Sequence, residues 1–181
     1  MKFKTIILLF KKVKVKHYQK GDIIIPYSSK EKTIFFIRKG IVRAFHNHKN
    51  GNEITFQIFA ENQVFSNIHS ILLDQPAKFN YQALENTKVF MIDYAAFRKL
   101  SAKNEDLLEI SRTFFGKKAF SMAFERVESF VFLSPEERYK KYLKDHTHII
   151  NRVPDMYIAN ILGITPVSLS RIRNRIASKK E

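Results

Sequence analysis

The sequence has no cysteine, few glycines and no long apolar run, and each absence excludes a class of function. Without cysteine the chain cannot form disulfides, use a thiol in catalysis or redox sensing, or ligate an iron–sulfur cluster. Only five glycines occur, and none belongs to a Gly-rich phosphate loop. No apolar run approaches the roughly 20 residues that span a bilayer. We therefore expect a protein that is neither a membrane protein nor, on the motifs present, an enzyme.

Acidic residues are also scarce. The chain has 32 Lys and Arg residues but only 17 Asp and Glu residues, which gives a formal net charge of +15. Such a balance implies a polyanionic partner but does not choose among DNA, RNA and lipid. A local cluster near the carboxyl end is more specific: Arg171, Arg173, Arg175, Lys179 and Lys180.

The first ten residues combine two lysines with a short apolar stretch. A signal peptide is disfavoured, because the apolar run is short and a small-residue cleavage site is missing. We expect a buried first helix or strand and a cytoplasmic protein.

Residues 14–93 have the texture of strands and turns. Five short runs are rich in β-branched and aromatic residues: 23–25, 33–37, 41–45, 54–59 and 88–92. The pair Asn50-Gly51 between two of them predicts a two-residue hairpin of type I′. Many short strands at this spacing predict a β-roll, a jelly-roll-like double-stranded β-helix.

Helical patterns follow. Residues 94–101 suit a short helix and residues 104–131 a long one, with an apolar seam that includes Leu108, Phe114, Phe115 and Met122. The run from Ser134 to Glu137 predicts a capped helix that begins at a proline. The predicted fold class is α+β: residues 1–103 form the roll, 104–131 a long dimerisation helix, and 134–181 a small helical domain.

The segment from Val153 to Ile176 predicts a helix-turn-helix. Ile158 and Leu162 form one apolar stripe, and Ala159 is small enough for a close helix crossing. Gly163 suits a left-handed turn position. Pro154 can open the first helix.

In the second helix, Thr165 can cap and Pro166 can start the helix. Leu169, Ile172 and Ile176 form its buried face. The set of candidate DNA contacts is Thr165, Pro166, Val167, Ser168, Ser170, Arg171, Asn174 and Arg175. These side chains suit phosphates, base edges and thymine methyl groups, so double-stranded DNA is the expected partner.

The order of roll, long helix and helix-turn-helix resembles the Crp/Fnr family of bacterial transcription factors (cyclic-AMP receptor protein/fumarate-nitrate regulator). The markers are His17–Ile24 (HYQKGDII), Ile34–Arg43 (IFFIRKGIVR) and Asn50–Glu53 (NGNE). The resemblance implies a homodimer joined through the long helix, with two recognition helices in successive major grooves. It also makes RNA polymerase a candidate partner and leaves the small-molecule effector unknown.

The sequence departs from this family's pattern at its effector pocket. Where cyclic-nucleotide members carry Gly-Glu after an aromatic, this chain has Ser66 and Asn67 after Phe65. Where they carry Arg-Ser or Arg-Thr, it has Ala77 and Lys78. A lysine lacks the planar fork of arginine, so we expect a degenerate pocket that does not respond to cyclic AMP. One alternative is that the roll is only a scaffold.

Two further departures concern the recognition helix and cofactors. Pro166 and Val167 stand where many members have Arg-Glu, whereas Arg171 matches a common arginine one turn further on. Only five residues follow Ile176, so a full β-hairpin wing is not expected. A haem-binding branch would need an axial ligand such as His17 or His69; we expect no cofactor.

A rival hypothesis comes from Gly40, His46, His48 and Glu53, whose spacing reproduces most of the first metal motif of the cupin enzymes. Across a two-residue turn Glu53 would lie opposite His48, and two imidazoles with a carboxylate can hold a divalent metal. The closing glycine is replaced by Ala60, and no second histidine motif follows. The alternative function is thus a cupin-like metal-dependent enzyme, whereas the primary expectation is no metal site.

Overall fold

The computed structural model describes residue 9 and residues 11–178. Apart from Leu9, the helix or strand expected within residues 1–10 lies outside the described residues, and so do Lys179 and Lys180. None of the helices in the described part is long and apolar enough to cross a membrane.

In the part of the chain that the structure describes, eight strands form two four-stranded antiparallel sheets, as predicted for a β-roll. They are β1 (Lys14–Tyr18), β2 (Ile23–Ile25), β3 (Thr33–Lys39), β4 (Val42–Asn47), β5 (Glu53–Phe59), β6 (Val64–Ser66), β7 (Asn80–Ala83) and β8 (Thr87–Asp93). One sheet has the order β1-β8-β3-β6 and the other β2-β7-β4-β5. A short helix, α1 (Ile68–Leu73), connects β6 to β7.

The five apolar runs all became strands, whereas β1, β6 and β7 were not predicted. Each missed strand has a physical reason for its weak signal. Strand β1 is an edge strand with alternating lysines and little burial, β6 is three residues long, and β7 is half polar. Their pairing depends on neighbouring strands rather than on local pattern.

The β4–β5 hairpin is present, but its turn is not type I′. The backbone N–H of His48 donates to Asn52 O at 2.8 Å, and that of Gly51 donates to His48 O at 2.9 Å. The loop therefore holds three residues, of which only Gly51 has a positive φ, at 84°. This is the hairpin in which a type I turn ends on a left-handed glycine.

The roll's core lies between the two sheets. Its largest fully buried side chains include Phe35, Ile37, Phe65 and Val89. Phe35 and Phe65 stack with ring centroids 4.9 Å apart. Parallel-displaced aromatic pairs of this kind add to the area that they bury.

The predicted helices follow as α2 (Tyr94–Ser101), α3 (Glu105–Ser111) and α4 (Ala119–Phe132), with α3 and α4 joined by a π-helical segment, Arg112–Lys118. The long helix is thus present but not regular. A π turn holds more residues than an α turn, so it rotates every later side chain about the axis. Apolar residues spaced seven apart on either side of the π segment therefore do not lie on one face of the helix.

Three more helices follow in the described residues: α5 (Pro135–Asp145), α6 (Asp155–Leu162) and α7 (Pro166–Ser178). Helix α5 begins as predicted, with a capping box in which the side chains of Ser134 and Glu137 bond each other's backbone N–H. The helices bury Tyr139, Ile158 and Leu169 in a core that also contains Ile41 and Ile58 of the roll. The helical unit therefore packs directly on strands β4 and β5.

Candidate nucleic-acid interface and cavity

The turn between α6 and α7 requires glycine for two reasons. Gly163 has φ of 66°, in the left-handed region. A Cβ there would also lie 2.5 Å from Cε1 of Phe130, on α4. The sequence indicated the first reason, whereas the second arises from a helix thirty residues earlier.

The hydrophobic positions of the helix-turn-helix lie as predicted. Ile158, Ala159, Leu162, Leu169 and Ile172 are all buried, and Ile176 packs against the same cluster. Pro154 precedes the first turn of α6 as its N-cap, one position earlier than expected.

Thr165 caps α7, because its Oγ1 accepts a hydrogen bond from the backbone N–H of Ser168 at 3.1 Å. The hydroxyls of Thr165 and Ser168 also lie 2.9 Å apart and share a hydrogen bond. Both side chains are therefore engaged in the first turn of the helix.

The outer face of α7 is open to solvent. Apart from half-buried Ser168, the candidate DNA contacts are all exposed: Thr165, Pro166, Val167, Ser170, Arg171, Asn174 and Arg175. Val167 is 61% exposed, which leaves an apolar group at the leading end of the helix.

Three arginines of α7 differ in their partners. Arg173 donates to Asp155 Oδ2 at 2.6 Å and to the Tyr139 hydroxyl at 2.8 Å. Arg175 pairs with Glu136 at 3.1 Å. Within residues 11–178, no acidic side chain pairs with Arg171. Among the described residues, Arg171 is therefore the one of these three arginines with no ion pair to break before its guanidinium can bind an outside partner.

Part of the apolar seam predicted for dimerisation lies against the chain's own roll, although Met122 is 41% exposed. Phe115 packs against the cluster of Ile92, Phe97 and Leu107, and its ring meets that of Tyr94 at 5.5 Å. Phe114 and Met122 line a cavity beside the roll, and Leu108 is half-buried.

A different apolar stripe faces solvent on α4. It consists of Phe120, Phe124, Val127 and Val131, which are 71, 53, 59 and 66% exposed. Their spacing of four, three and four residues is that of a coiled-coil seam. The π segment precedes α4 and rotates its side chains about the axis, so the most exposed stripe of α4 differs from the predicted seam.

A cavity of about 240 Å³ lies between the roll and the long helix. Of the five predicted pocket residues, Phe65 and Ser66 line it. The other three do not: the amide of Asn67 donates to Ser29 O at 3.0 Å and also bonds Ser70 Oγ, Ala77 is buried elsewhere, and Lys78 is exposed. Asn67 therefore has a structural role as the cap of α1.

Arg126 of α4 is the cavity residue that the sequence did not reveal. Its guanidinium donates to Phe56 O at 2.8 Å and to Ile161 O at 3.4 Å. It also lies over the rings of Phe56 and Phe130. Burial lowers the pKa of Arg126, although a guanidinium stays protonated at neutral pH. One side chain thus touches the roll, the cavity and the last turn of α6.

His69 also lines the cavity. Burial, and then the nearby charge of Lys78, lowers the pKa of His69 below its usual 6.5, which favours the neutral imidazole at neutral pH. The other histidine considered as a haem ligand, His17, is exposed on the edge strand β1.

The structure does not assemble the proposed cupin-like metal site. Glu53 pairs across the hairpin with Asn47 rather than His48, and its carboxylate forms an ion pair with Arg43. His46 Nδ1 lies 3.0 Å from Lys78 O, and His48 Nδ1 lies 3.2 Å from Asn50 Oδ1. Among the described residues no three His, Cys, Asp or Glu side chains converge as metal ligands. The expected cross-turn geometry was wrong because the loop has three residues.

Comparison with known proteins agrees with this architecture. Residues 15–104 match the cyclic nucleotide-binding domain family. No curated protein matches the chain in sequence. FixK2 from Bradyrhizobium japonicum is similar in fold, with a TM-score of 0.79 at 13% identity over 93% of this chain and 86% of that one.

Two further solved structures have the same fold. The catabolite activator protein of Thermus thermophilus superposes with a TM-score of 0.60 at 17% identity, over 99% of this chain and 85% of that one. A protein from Eubacterium rectale described as a putative transcriptional regulator of the Crp/Fnr family gives a TM-score of 0.70, also at 17% identity and over the same shares.

Proposed function

We propose that this chain is a homodimeric, sequence-specific DNA-binding regulator of transcription of the Crp/Fnr type. The match of residues 15–104 to the cyclic nucleotide-binding domain family and the similarity in fold to FixK2 and to the Eubacterium rectale protein support this proposal. The surface of α7 carries the proposal. Leu169 and Ile172 anchor the helix in the core, and the opposite face presents Arg171 to solvent without an ion pair to any of the described residues. A helix held in this way can enter a major groove and meet a guanine through its guanidinium fork.

Dimerisation is supported by the exposed stripe Phe120, Phe124, Val127 and Val131. Large apolar side chains in a coiled-coil pattern are costly to leave in water. A second copy related by a two-fold axis would cover them with the same four residues. Two copies of α7 would then read two half-sites of an inverted repeat.

We further propose that cyclic AMP is not the effector. Ser66 and Asn67 supply no carboxylate for a ribose, and Asn67 is committed to Ser29 and Ser70. Ala77 and Lys78 supply no guanidinium, and neither lines the cavity. Recruitment of RNA polymerase is part of the proposed role, with no surface assigned to it.

The test is selection of bound fragments from a library of genomic DNA by the purified full-length chain. We expect an enriched inverted repeat with half-site centres about one helical turn, or 10 base pairs, apart. The Arg171→Ala variant in the same selection should recover a motif with reduced information at one base pair of each half-site. Bound fragments with no common motif would overturn the proposal.

A further inference from the structure

The cavity between the roll and the long helix has a predominantly aromatic wall. Its rings come from Phe56, Phe59, Phe65, Phe79 and Tyr81. Phe56 and Phe79 stack with centroids 4.7 Å apart, and Phe65 and Tyr81 with centroids 5.6 Å apart. The long helix closes the other side with one more ring, that of Phe114, and with the small or flexible side chains of Ala119, Met122 and Ala123. Such a wall favours a planar apolar ligand.

The size of the cavity restricts that ligand. An apolar protein cavity of about 150 Å³ holds one benzene ring. The volume of about 240 Å³ here therefore suits a molecule with one or two rings. It is smaller than the usual range for drug-sized ligands.

The cavity wall carries a positive charge, that of Arg126, and no acidic side chain among the lining residues balances it. Arg126 is the only Lys, Arg, Asp or Glu among the lining residues, and no carboxylate pairs with it in the described part of the chain. Two of its N–H groups bind main-chain carbonyls of Phe56 and Ile161. A guanidinium has five N–H donors, so others remain for a carboxylate. A half-buried cation without an acidic partner favours an anionic ligand group.

The hydroxyl of Ser66 is another polar group on the cavity wall, and it has a free hydrogen-bonding capacity with respect to the described residues. Ser66 is 3% exposed, and its hydroxyl has no hydrogen-bond partner among the described residues. Buried hydroxyls in proteins are normally hydrogen-bonded, so this group is a candidate contact for a ligand. It lies on the roll side, whereas Arg126 lies on the helix side.

We propose that this cavity binds a small aromatic carboxylate of one or two rings, with the rings among Phe56, Phe59 and Phe79 and the carboxylate on Arg126. That this ligand acts as an effector rests on the proposed function, whereas its binding does not. Arg126 also donates to Ile161 O, in the last turn of α6. A carboxylate bound to Arg126 would therefore contact a side chain that is hydrogen-bonded to the proposed helix-turn-helix. We expect binding of this ligand to change the affinity of the protein for DNA.

The binding test uses calorimetry on the full-length chain with three probes: 2-naphthoate, its uncharged analogue 2-naphthamide, and cyclic AMP. We expect 2-naphthoate to bind about tenfold or more tightly than 2-naphthamide, because only the acid pairs with Arg126. Cyclic AMP should not compete with it. Equal binding of the acid and the amide, or no binding of the acid, would overturn the proposal on the wild-type protein alone.

Variants then locate the site. Arg126→Met should remove the preference for the acid and leave the amide affinity unchanged, whereas Ala123→Phe should weaken both by filling the cavity. The matched control is Arg138→Met. Arg138 also lies over Phe130 and donates to main-chain carbonyls of Leu133 and Leu162, but it does not line the cavity. An equal loss of acid binding in Arg138→Met would place the effect outside the cavity.

A separate DNA-binding assay distinguishes the two proposals. If the chain binds a specific DNA site but not 2-naphthoate, only the ligand proposal fails. If it binds 2-naphthoate through Arg126 but no specific DNA, only the regulator function fails. If both bind and 2-naphthoate leaves the DNA affinity unchanged, the effector role is wrong.

Discussion

Asn160, in α6, accepts a hydrogen bond through its side-chain Oδ1 from the backbone N–H of Thr55, in β5, at 3.0 Å. Thr55 is fully buried, and β5 is the edge strand of its sheet. The helix-turn-helix therefore covers an open sheet edge, which natural proteins rarely leave exposed. This bond joins the proposed DNA-binding unit to the roll of the same chain.

We predict that Asn160→Leu lowers the free energy of unfolding by about 1–3 kcal/mol, because it leaves a buried N–H without an acceptor. Urea denaturation measures the loss. Asn174→Leu, on the exposed face of α7, is the control and should leave stability nearly unchanged. Equal stability of Asn160→Leu and wild type would show that the roll does not depend on this contact.

The second prediction concerns the stripe on α4. Phe124→Asp should raise the dissociation constant of the dimer by about 100-fold or more, because it removes a buried ring from both copies and places two carboxylates face to face. Sedimentation equilibrium measures this constant. Phe115→Asp should instead reduce thermal stability, since Phe115 packs on the roll. A wild-type chain that is monomeric at micromolar concentration would contradict the stripe as an interface.

The third prediction separates base reading from phosphate binding. Arg171→Ala should cost about 1–3 kcal/mol of discrimination at one base pair per half-site. Arg175→Ala should weaken specific and scrambled DNA alike, because a phosphate contact carries no sequence information. Lys179→Ala, outside the described residues, should do the same and reduce the salt slope by about one unit. Fluorescence anisotropy with the specific and the scrambled DNA measures these affinities. An equal loss of affinity for both sequences in Arg171→Ala would show that Arg171 does not read a base.

The fourth prediction is that cyclic AMP changes neither the melting temperature nor the DNA affinity of the protein. The residues at the family's nucleotide-binding positions, Ser66, Asn67, Ala77 and Lys78, offer neither a guanidinium nor a carboxylate. Calorimetry tests this directly. A dissociation constant in the low micromolar range would mean that other groups replace the missing contacts.

The fifth prediction is a loss of stability in acid through Glu61. Hydrogen bonds from Arg152 hold the pKa of Glu61 at about 2, below its usual 4.5. The charged carboxylate is favoured in the folded state, so its contribution is present above about pH 4.5 and is lost as the pH falls towards 2. Arg152 also pairs with Glu85, so the interaction ties the helical unit to the roll.

Unfolding free energies between about pH 2 and pH 7 measure this contribution. Glu61→Gln should be less stable than wild type at neutral pH, and the difference should narrow below about pH 4.5. The difference in unfolding free energy between Arg152→Gln and wild type should narrow over the same pH range. A constant difference across the whole range would assign the effect to packing rather than to charge.

The sequence by itself determined the features that depend on residues close together along the chain. Gly163, Thr165 and the apolar spacing of α6 and α7 are local signals, since a left-handed turn, a cap and a helical stripe each involve one or two turns. The capping box at Ser134 is of the same kind. The antiparallel roll was predictable because most of its strands are short apolar runs between turn residues.

Tertiary structure alone decided which faces meet. The hairpin loop at Asn50-Gly51 is one residue longer than predicted, which moved Glu53 away from His48 and towards Arg43. The π segment changed the rotation of α4, so that Met122 lines the cavity and is 41% exposed, while Phe120 and Phe124 are 71 and 53% exposed. Arg126 gave no sequence signal, because its role comes from carbonyls 70 residues before and 35 residues after it. Periodicity fixes a stripe on each element, but the rotation of one element against another depends on contacts between distant residues.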